Sequence, residues 1–448
     1  MVNFLLVGNG AREDAIAKAI LKSPNIKLFC FADALNPSIK LLCQKSNGDY
    51  KIGNTTDGVQ VSAWAAEKEI NLAFPSPDAV LAAGVVDYLE AAKIKCAAPS
   101  KKAARIEWDK NFLRELMQKY SIPGCPKFKH FLSTEGIDDY IDSLGGNVAI
   151  KPCGLTSGKG VKVVGFQLKN SAQAKEYAKE VIKSKIGGEL GVIIEEKLEG
   201  EEFSLMAFSD SKSVKGMPMV QDHKRAFEGD IGPNTGGMGS YSSSSLVLPF
   251  LEEEDYKKAM EILTKIISAL KQESIPYKGI IYGGFIATAN GVYCLETNSR
   301  FGDPEVINVL AVLQTPLFDI LDSIAKEKLD QQQIFWEKKA TVVKYLVPEN
   351  YPEKPIEPAE IKIDYSKLKE TELFFGSVNE KEGILYTSKS RALALLASAD
   401  SIEEASEKIE KDIPAIKGPL WHRGDIGTKK LLQKRIEHMK KLRKEIFS

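Results

Sequence analysis

The sequence of 448 residues is poor in several features that would point to particular chemistries. No stretch approaches the ~18 apolar residues of a membrane span. Its six cysteines, Cys30, Cys43, Cys96, Cys125, Cys153 and Cys294, are scattered without a C-x-x-C pair, which excludes a disulfide scaffold and a zinc ribbon. Four isolated histidines, His130, His223, His422 and His438, poorly supply a metal cage or a Ser-His-Asp triad. Net charge is absent too, because 61 Lys and Arg balance 61 Asp and Glu. A nucleic-acid binder that worked by neutralising phosphates would be basic. The opening Met1-Val2-Asn3 lacks the basic region and cleavage site of a secretory signal, so a cytoplasmic location is expected. What remains, 43% hydrophobic and 27% charged, is the composition of a globular protein with roughly three domains.

Apolar runs give the organisation. Phe4-Leu5-Leu6-Val7 reads as a buried strand, followed by Gly8-Asn9-Gly10 and a helix with Ala15, Ile16, Ala19 and Ile20 on one face. Asn71-Leu72-Ala73-Phe74 reads as another strand, followed by Ser76-Pro77-Asp78 and one helix through Val80, Val85 and Leu89. Such alternation implies a doubly wound parallel sheet, whose ligands gather at the carboxyl ends of the strands. Both loops should therefore face one crevice. The pattern predicts a small inserted unit from about Pro123 to Val192, with strands at 147–151, 161–164 and 191–196 and a helix around 171–184. Strands resume at 203–208, 279–286 and 292–296. A shift near residue 335 opens a C-terminal unit with a strand at 340–347, a stiff loop at Pro348, Pro352, Pro355 and Pro358, and one helix at 400–412.

Four segments carry chemistry. Lys151-Pro152-Cys153-Gly154-Leu155-Thr156-Ser157-Gly158-Lys159-Gly160 lies between two strands. Its glycines allow backbone N–H groups to approach an anion, and its lysines add charge; alone, it also reads as a hairpin turn. Asp222-His223-Lys224-Arg225 leads into Gly232-Pro233-Asn234-Thr235-Gly236-Gly237-Met238-Gly239, which reads as a flexible substrate loop. His223 reads as a hydrogen-bonding group of that loop. Glu296 and Asn298 end a strand on one face, two oxygen ligands suited to Mg²⁺ carried by a nucleotide, although the same pair also fits a solvated edge. Arg300-Phe301-Gly302-Asp303-Pro304-Glu305 then places an anion-binding guanidinium beside them.

Together with Gly8-Asn9-Gly10-Ala11-Arg12-Glu13, Glu195-Glu196-Lys197-Leu198, Gly200-Glu201-Glu202 and His422-Arg423-Gly424-Asp425-Ile426-Gly427, these strings resemble a known family over nearly the whole chain. It is the phosphoribosylamine–glycine ligase (glycinamide ribonucleotide synthetase) family of ATP-grasp enzymes, and Gly160-Val161-Lys162-Val163-Val164-Gly165 looks closer to archaeal members. The resemblance implies an α/β ATP-grasp fold with an N-terminal doubly wound parallel-sheet domain (1–104), a core (105–124 and 193–333), a small lid domain (125–192) and a C-terminal mixed α/β domain (334–448). It implies ATP with Mg²⁺ or Mn²⁺, and glycine and 5-phosphoribosylamine as small-molecule substrates. No nucleic-acid or membrane partner is implied, and the expected state is a monomer or weak homodimer.

Lys110 and Lys151, with Gly158, Lys159 and Gly160, match the ATP-phosphate site; Glu195, Lys197 and Leu198 match the adenine hinge; Glu202 matches the ribose carboxylate. Glu296 and Asn298 match the metal ligands. Arg300, Lys224 and Asp222 match the catalytic groups, and Gly8, Asn9, Gly10, Asp78, Asn234, Thr235, Gly236 and Gly237 the substrate-binding positions. The family's chemistry passes through glycyl phosphate, so no protein nucleophile is needed. Three N-terminal strings depart from the family pattern: Ala11-Arg12-Glu13-Asp14 in place of Gly-Arg-Glu-His, Ser76-Pro77-Asp78 in place of Gly-Pro-Glu, and Ala98-Pro99-Ser100 in place of Gly-Pro-Thr or Gly-Pro-Ser. They leave open a ligase of this fold with a different amine or amino acid; a nucleotide-binding regulatory protein without catalysis is the other alternative.

Cys153 reads as a structural thiol, and His422 as a residue orienting backbone in the C-terminal unit. The tail from Lys429, with Leu432, Ile436, Met439 and Leu442 at helical spacing, reads as a helix with one packed face and a solvated basic side. An RNA- or membrane-binding helix is the other reading.

Overall fold

The computed structural model describes residues 1–156 and 160–444. Its first sheet has five parallel strands in the order Asp49–Ile52, Ile26–Ala32, Val2–Val7, Leu72–Pro75 and Lys95–Cys96. Phe4, Leu5, Leu6 and Val7 are all buried, because a parallel sheet is covered on both faces. Helix Ala11–Ile20 follows directly. Gly8 makes the turn at φ 119°, where a Cβ would come within 2.9 Å of both Glu13 and Pro77. The single helix expected through Val80 and Leu89 is two, Asp78–Ala83 and Val85–Ala91. Gly84, at φ 85°, caps the first of them in the left-handed conformation.

Strands Phe128–Phe131, Val192–Glu196, Val148–Pro152 and Lys162–Val163 form a separate antiparallel sheet. Helices Ile137–Ser143 and Ser171–Lys183 belong to the same unit, and Ile137, Ile141, Val148, Ile150 and Tyr177 fill its own small core. Gly154 is required here: a Cβ would lie 1.8 Å from the Gly187 carbonyl oxygen.

A ten-stranded sheet dominates the rest. It runs antiparallel from Gly291–Asn298 through Lys278–Thr288, Glu201–Asp210, Val220–Asp222 and Gly239–Ser242 into Ala340–Pro348, Leu393–Ala399 and Glu372–Phe375. The unit expected at 334–448 is thus hydrogen-bonded into the same sheet as the core, through Gly239–Ser242 and Ala340–Pro348. All nine residues of Ala340–Pro348 are buried, which explains its near-continuous apolar run.

The tail helix spans Lys429–Lys444, with Leu431, Leu432 and Met439 buried. Its basic side is not wholly solvated. Arg435 Nη1 lies 3.0 Å from Glu201, His438 Nδ1 2.6 Å from the same carboxylate, and Arg443 2.7 Å from Asp255. Acidic residues of the core turn these bases inward, where they hold the helix in place. No described helix is long and apolar enough to cross a membrane.

Candidate active site

The site lies where the inserted four-stranded sheet, the ten-stranded sheet and the N-terminal sheet meet. Helix Lys110–Lys119 supplies its first cations. Asp109 caps this helix, accepting from the Phe112 N–H at 3.1 Å. Lys110 and Arg114 sit four residues apart on one helix face. Lys110 Nζ donates to the Gly154 carbonyl at 3.1 Å, and burial together with nearby Lys151 lowers its pKa, against Glu296, which raises it. Arg114 Nε donates to Glu195 at 2.7 Å, and Lys151 Nζ meets the other oxygen of that carboxylate at 2.7 Å. Ala149 is the direct cross-strand partner of Glu195, so Lys151 is its diagonal neighbour on the same face.

Glu195 has a further part in this arrangement. Its buried carboxylate holds Arg114 and Lys151, and its pKa is lowered because those two cations outweigh desolvation. The side chain is thus a strut beneath Lys151, paired with two cations of the protein. Lys197 donates its backbone N–H to Asn147, and its ammonium lies 5.1 Å from the ring centre of exposed Phe166. Leu198 is half-buried beside it. Glu202 is exposed while neighbouring Glu201 is buried, as strand alternation requires. Gly160 accepts from the Tyr177 hydroxyl at 2.6 Å; Gly158 and Lys159 lie outside the described residues. Burial pushes the Cys153 thiol up to about 12, in keeping with a structural role.

Glu296 is the centre of the charge pattern. Lys224 lies 3.5 Å away and holds the Glu296 carboxyl at about 2, with Lys110, Lys151 and Arg300 adding to that effect against desolvation. Asn298 follows two residues later. Its hydrogen-bond surroundings place the amide nitrogen 3.1 Å from the Thr297 carbonyl and 3.2 Å from Glu107, leaving the oxygen as the outward donor atom. An ionised carboxylate beside an amide oxygen fits a hard divalent cation that arrives with phosphate and water as its other ligands. No group of three or more His, Cys, Asp or Glu suited to a metal occurs among the described residues.

A bulge builds this end of the strand. Gly284 pairs with Glu296 while Phe285 pairs with Cys294, so Leu295 is the extra residue. Its carbonyl accepts from Arg114 at 2.8 Å and from Lys151 at 2.9 Å. Arg300 is partly committed: Nη2 lies 3.1 Å from Glu107 and Nη1 donates to the Phe301 carbonyl at 3.1 Å, while its buried Nε has no partner among the described residues.

The segment expected to be a flexible loop is held instead. Ile231–Asn234 pairs with Arg225–Phe227, and Gly239–Ser242 is a buried strand. Thr235 donates its N–H to the Lys224 carbonyl at 2.7 Å, and Met238 donates to the His223 carbonyl at 2.8 Å. Gly236 and Gly237 lie between them, beside Asp222, whose buried Oδ1 has no partner among the described residues. Burial, and then Glu305, raise the Asp222 pKa well above the usual carboxylate range. His223 bonds the loop through its main chain and not through its ring, which is buried, packs 5.3 Å from Tyr241 and has no hydrogen-bond partner among the described residues; burial lowers its pKa to about 3. His422 meets the Glu410 side chain at 3.2 Å instead of backbone.

The two N-terminal loops do share a crevice. Glu13 accepts from the Gly10 N–H at 2.7 Å, from Arg12 Nε at 2.7 Å and from the Ser76 hydroxyl at 2.6 Å. The Gly10 N–H is therefore occupied, and Ala11 and Arg12 keep the unpaired amides of a helix start. Ala11 opens that helix, so a side chain there costs nothing. The Asn9 carbonyl accepts from Asn36 at 2.9 Å. Asp78 begins its own helix, accepting from the Ala79 N–H at 2.9 Å, and adds its charge to the field at Arg300. Each departure at these loops has a packing role. Ser76 binds Glu13; buried Asp14 accepts from Ser38 at 2.6 Å and from the Phe375 N–H at 2.9 Å; Ala98 lies against Gly279.

Sequence reasoning missed Arg114, Glu107, Ser76 and Glu13 as parts of the site. Only Arg114 had a local signal, its spacing of four from Lys110.

The chain matches three family descriptions in succession: phosphoribosylglycinamide synthetase N domain over residues 2–107, its ATP-grasp (A) domain over 108–306 and its C domain over 341–429. Phosphoribosylamine–glycine ligase of Methanobrevibacter smithii is 44% identical over 98% of this chain and 99% of its own. That of Methanocaldococcus jannaschii is 45% identical over 99% and 100%. The crystal structure of phosphoribosylamine–glycine ligase from Thermotoga maritima superposes with a TM-score of 0.79 at 25% identity, covering 95% of this chain and 100% of that one. The biotin carboxylase domain of Hydrogenobacter thermophilus 2-oxoglutarate carboxylase, solved with MgADP, ADP and bicarbonate, shares the fold at a TM-score of 0.72 and 15% identity, over 98% of this chain and 93% of that one. With the ATP-grasp core, the parallel N-terminal sheet and full-length likeness all in place, the chain belongs to the phosphoribosylglycinamide synthetase family.

Proposed function

We propose that the protein is an ATP-dependent carbon–nitrogen ligase that joins glycine to 5-phosphoribosylamine, giving glycinamide ribonucleotide, ADP and phosphate. The observation that carries this reading is the Glu296 carboxylate 3.5 Å from Lys224, with Lys110, Lys151 and Arg300 adding their charge around it. Such a cluster suits transfer of a phosphoryl group, where catalysis is positioning plus neutralisation of charge.

Lys110 and Lys151 would bind the nucleotide phosphates, with the glycine-rich segment that ends at Gly160. The main chain at Lys197 and Leu198 would meet adenine and Glu202 the ribose. Mg²⁺, with Mn²⁺ as a possible substitute, would be held by Glu296 and Asn298 and would supply neutralisation of phosphate charge. The glycine carboxylate attacks the γ-phosphorus and ADP leaves. The amine nitrogen of phosphoribosylamine then attacks the acyl carbon of glycyl phosphate, phosphate leaves, and the nitrogen loses a proton. Asp222, whose Oδ1 has no hydrogen-bond partner among the described residues and faces Gly237, is the group we assign to take that proton. Arg300 and Lys224 would steady the transferring group. Gly8, Asn9, Gly10 and Asp78 would hold the phosphoribosyl part, and Asn234 to Gly237 the reacting end. The unit at 125–192 would close over the core as a lid and exclude water from the acyl phosphate.

The test is coupled ADP release with freshly made phosphoribosylamine, glycine and MgATP, each omitted in turn, with serine and alanine in place of glycine. Release that needs all three and falls sharply with serine and alanine is the expected result. Release independent of phosphoribosylamine would reject the assignment.

A further inference from the structure

We propose that Arg391 is a positioning residue for the ligase reaction, fixing the Gly236–Gly237 segment and Asp303 as one unit beside Asp222 and Lys224. The inference rests on the functional reading above and adds a residue lying 88 positions after Asp303, outside every motif that led to it.

The guanidinium spans two motif strings. Its Nη1 donates to the carbonyls of Gly236 at 2.6 Å, Gly237 at 2.9 Å and Asp303 at 3.2 Å, and its Nη2 donates to Asp303 Oδ2 at 2.8 Å. The Tyr345 ring lies beneath it at 4.4 Å, and the Tyr345 hydroxyl donates to the other Asp303 oxygen. A planar fork can reach three carbonyls and a carboxylate at once, which a single ammonium cannot. The paired glycines permit this approach. A Cβ at Gly236 would stand 3.0 Å from Nη2, and Gly237 takes φ 105° with the position of a missing Cβ 2.5 Å from Asp222 Oδ1.

The arginine is itself anchored. Its carbonyl accepts from the Ser377 N–H at 2.8 Å, and the next residue, Ala392, bonds Gly376 and Leu346 in the flanking strands. A Cβ at Gly376 would come within 2.6 Å of the Arg391 carbonyl oxygen. The C-terminal unit thus presses a fixed cation against the back of the segment that borders Lys224. Displacing it would shift the Gly236–Gly237 main chain relative to Asp222 and leave the phosphate lysines untouched.

The experiment compares Arg391→Lys and Arg391→Ala with wild type in two assays: equilibrium binding of an adenine nucleotide with Mg²⁺, and steady-state ligation with glycine and phosphoribosylamine varied separately. Nucleotide affinity within twofold of wild type, kcat/KM for glycine and amine down at least tenfold in both variants, and partial recovery of Arg391→Ala by added guanidinium ion are expected. Parallel loss of nucleotide affinity and of the unfolding midpoint would reduce Arg391 to a structural residue and overturn the proposal, as would unchanged ligation kinetics. If Arg391→Ala does not fold, Tyr345→Phe, which removes only the hydroxyl on Asp303, should lower the same kcat/KM by a smaller factor; no change there also counts against it. A wild-type chain without glycine-dependent ADP release would instead sink the functional reading itself.

Discussion

The N-terminal crevice and the cation-lined cleft use charge in opposite ways. In the crevice, the Glu13 carboxylate is satisfied by three donors, from Gly10, Arg12 and Ser76. In the cleft, Glu296 has one ammonium at 3.5 Å and a surplus of cations around it. The first region is a set of closed hydrogen bonds that shapes a loop. The second holds charge in reserve for a ligand. Glu195 shows that the cleft contains both kinds, since it is as fully paired as Glu13.

The sharpest way to test this contrast is to remove a satisfied carboxylate. Glu195→Gln should leave Arg114 and Lys151 without their buried counter-charge and cost about 3–5 kcal/mol in a denaturant melt. Glu296→Ala should do the reverse, losing ~10²-fold or more in ligation rate with little change in the melt; unchanged turnover would remove its metal role. Arg300→Lys should raise the KM of an anionic substrate about tenfold and that of ATP far less, because a bidentate fork is lost. Ser76→Ala, which deletes one of three donors to Glu13, should cost about 1 kcal/mol in stability. If Ser76→Ala instead abolished use of phosphoribosylamine, the crevice would be a reactive surface and the contrast would fail.

Most elements were legible from apolar runs, because strands buried on both faces advertise themselves over four or more residues. The two glycine-dense loops and the Glu296–Asn298 pair were legible from residue type and spacing. What escaped were partnerships between distant positions, such as Arg114 with Glu195 or Arg391 with Asp303. No local pattern encodes which cation meets which anion across a sheet. The same limit explains why the pairing of the Glu195 side chain, and the anchoring of the segment from Gly232 expected to be flexible, escaped notice: both are set by partners that only the tertiary structure supplies. The basic tail misled for a related reason, since Arg435 and Arg443 turn toward Glu201 and Asp255.

The extra residue at Leu295 sets the phase of everything after it. Val292 and Cys294 are buried before it, and Thr297 and Ser299 after it, so the in-and-out rhythm changes parity at this point. Run as a regular pleat from Cys294 with no bulge, the same sequence would turn Glu296 inward and Thr297 outward; taking up Leu295 in the bulge keeps the carboxylate beside Lys224. The strand's alternation is broken once, and that one break decides which side of the sheet Glu296 and Asn298 occupy.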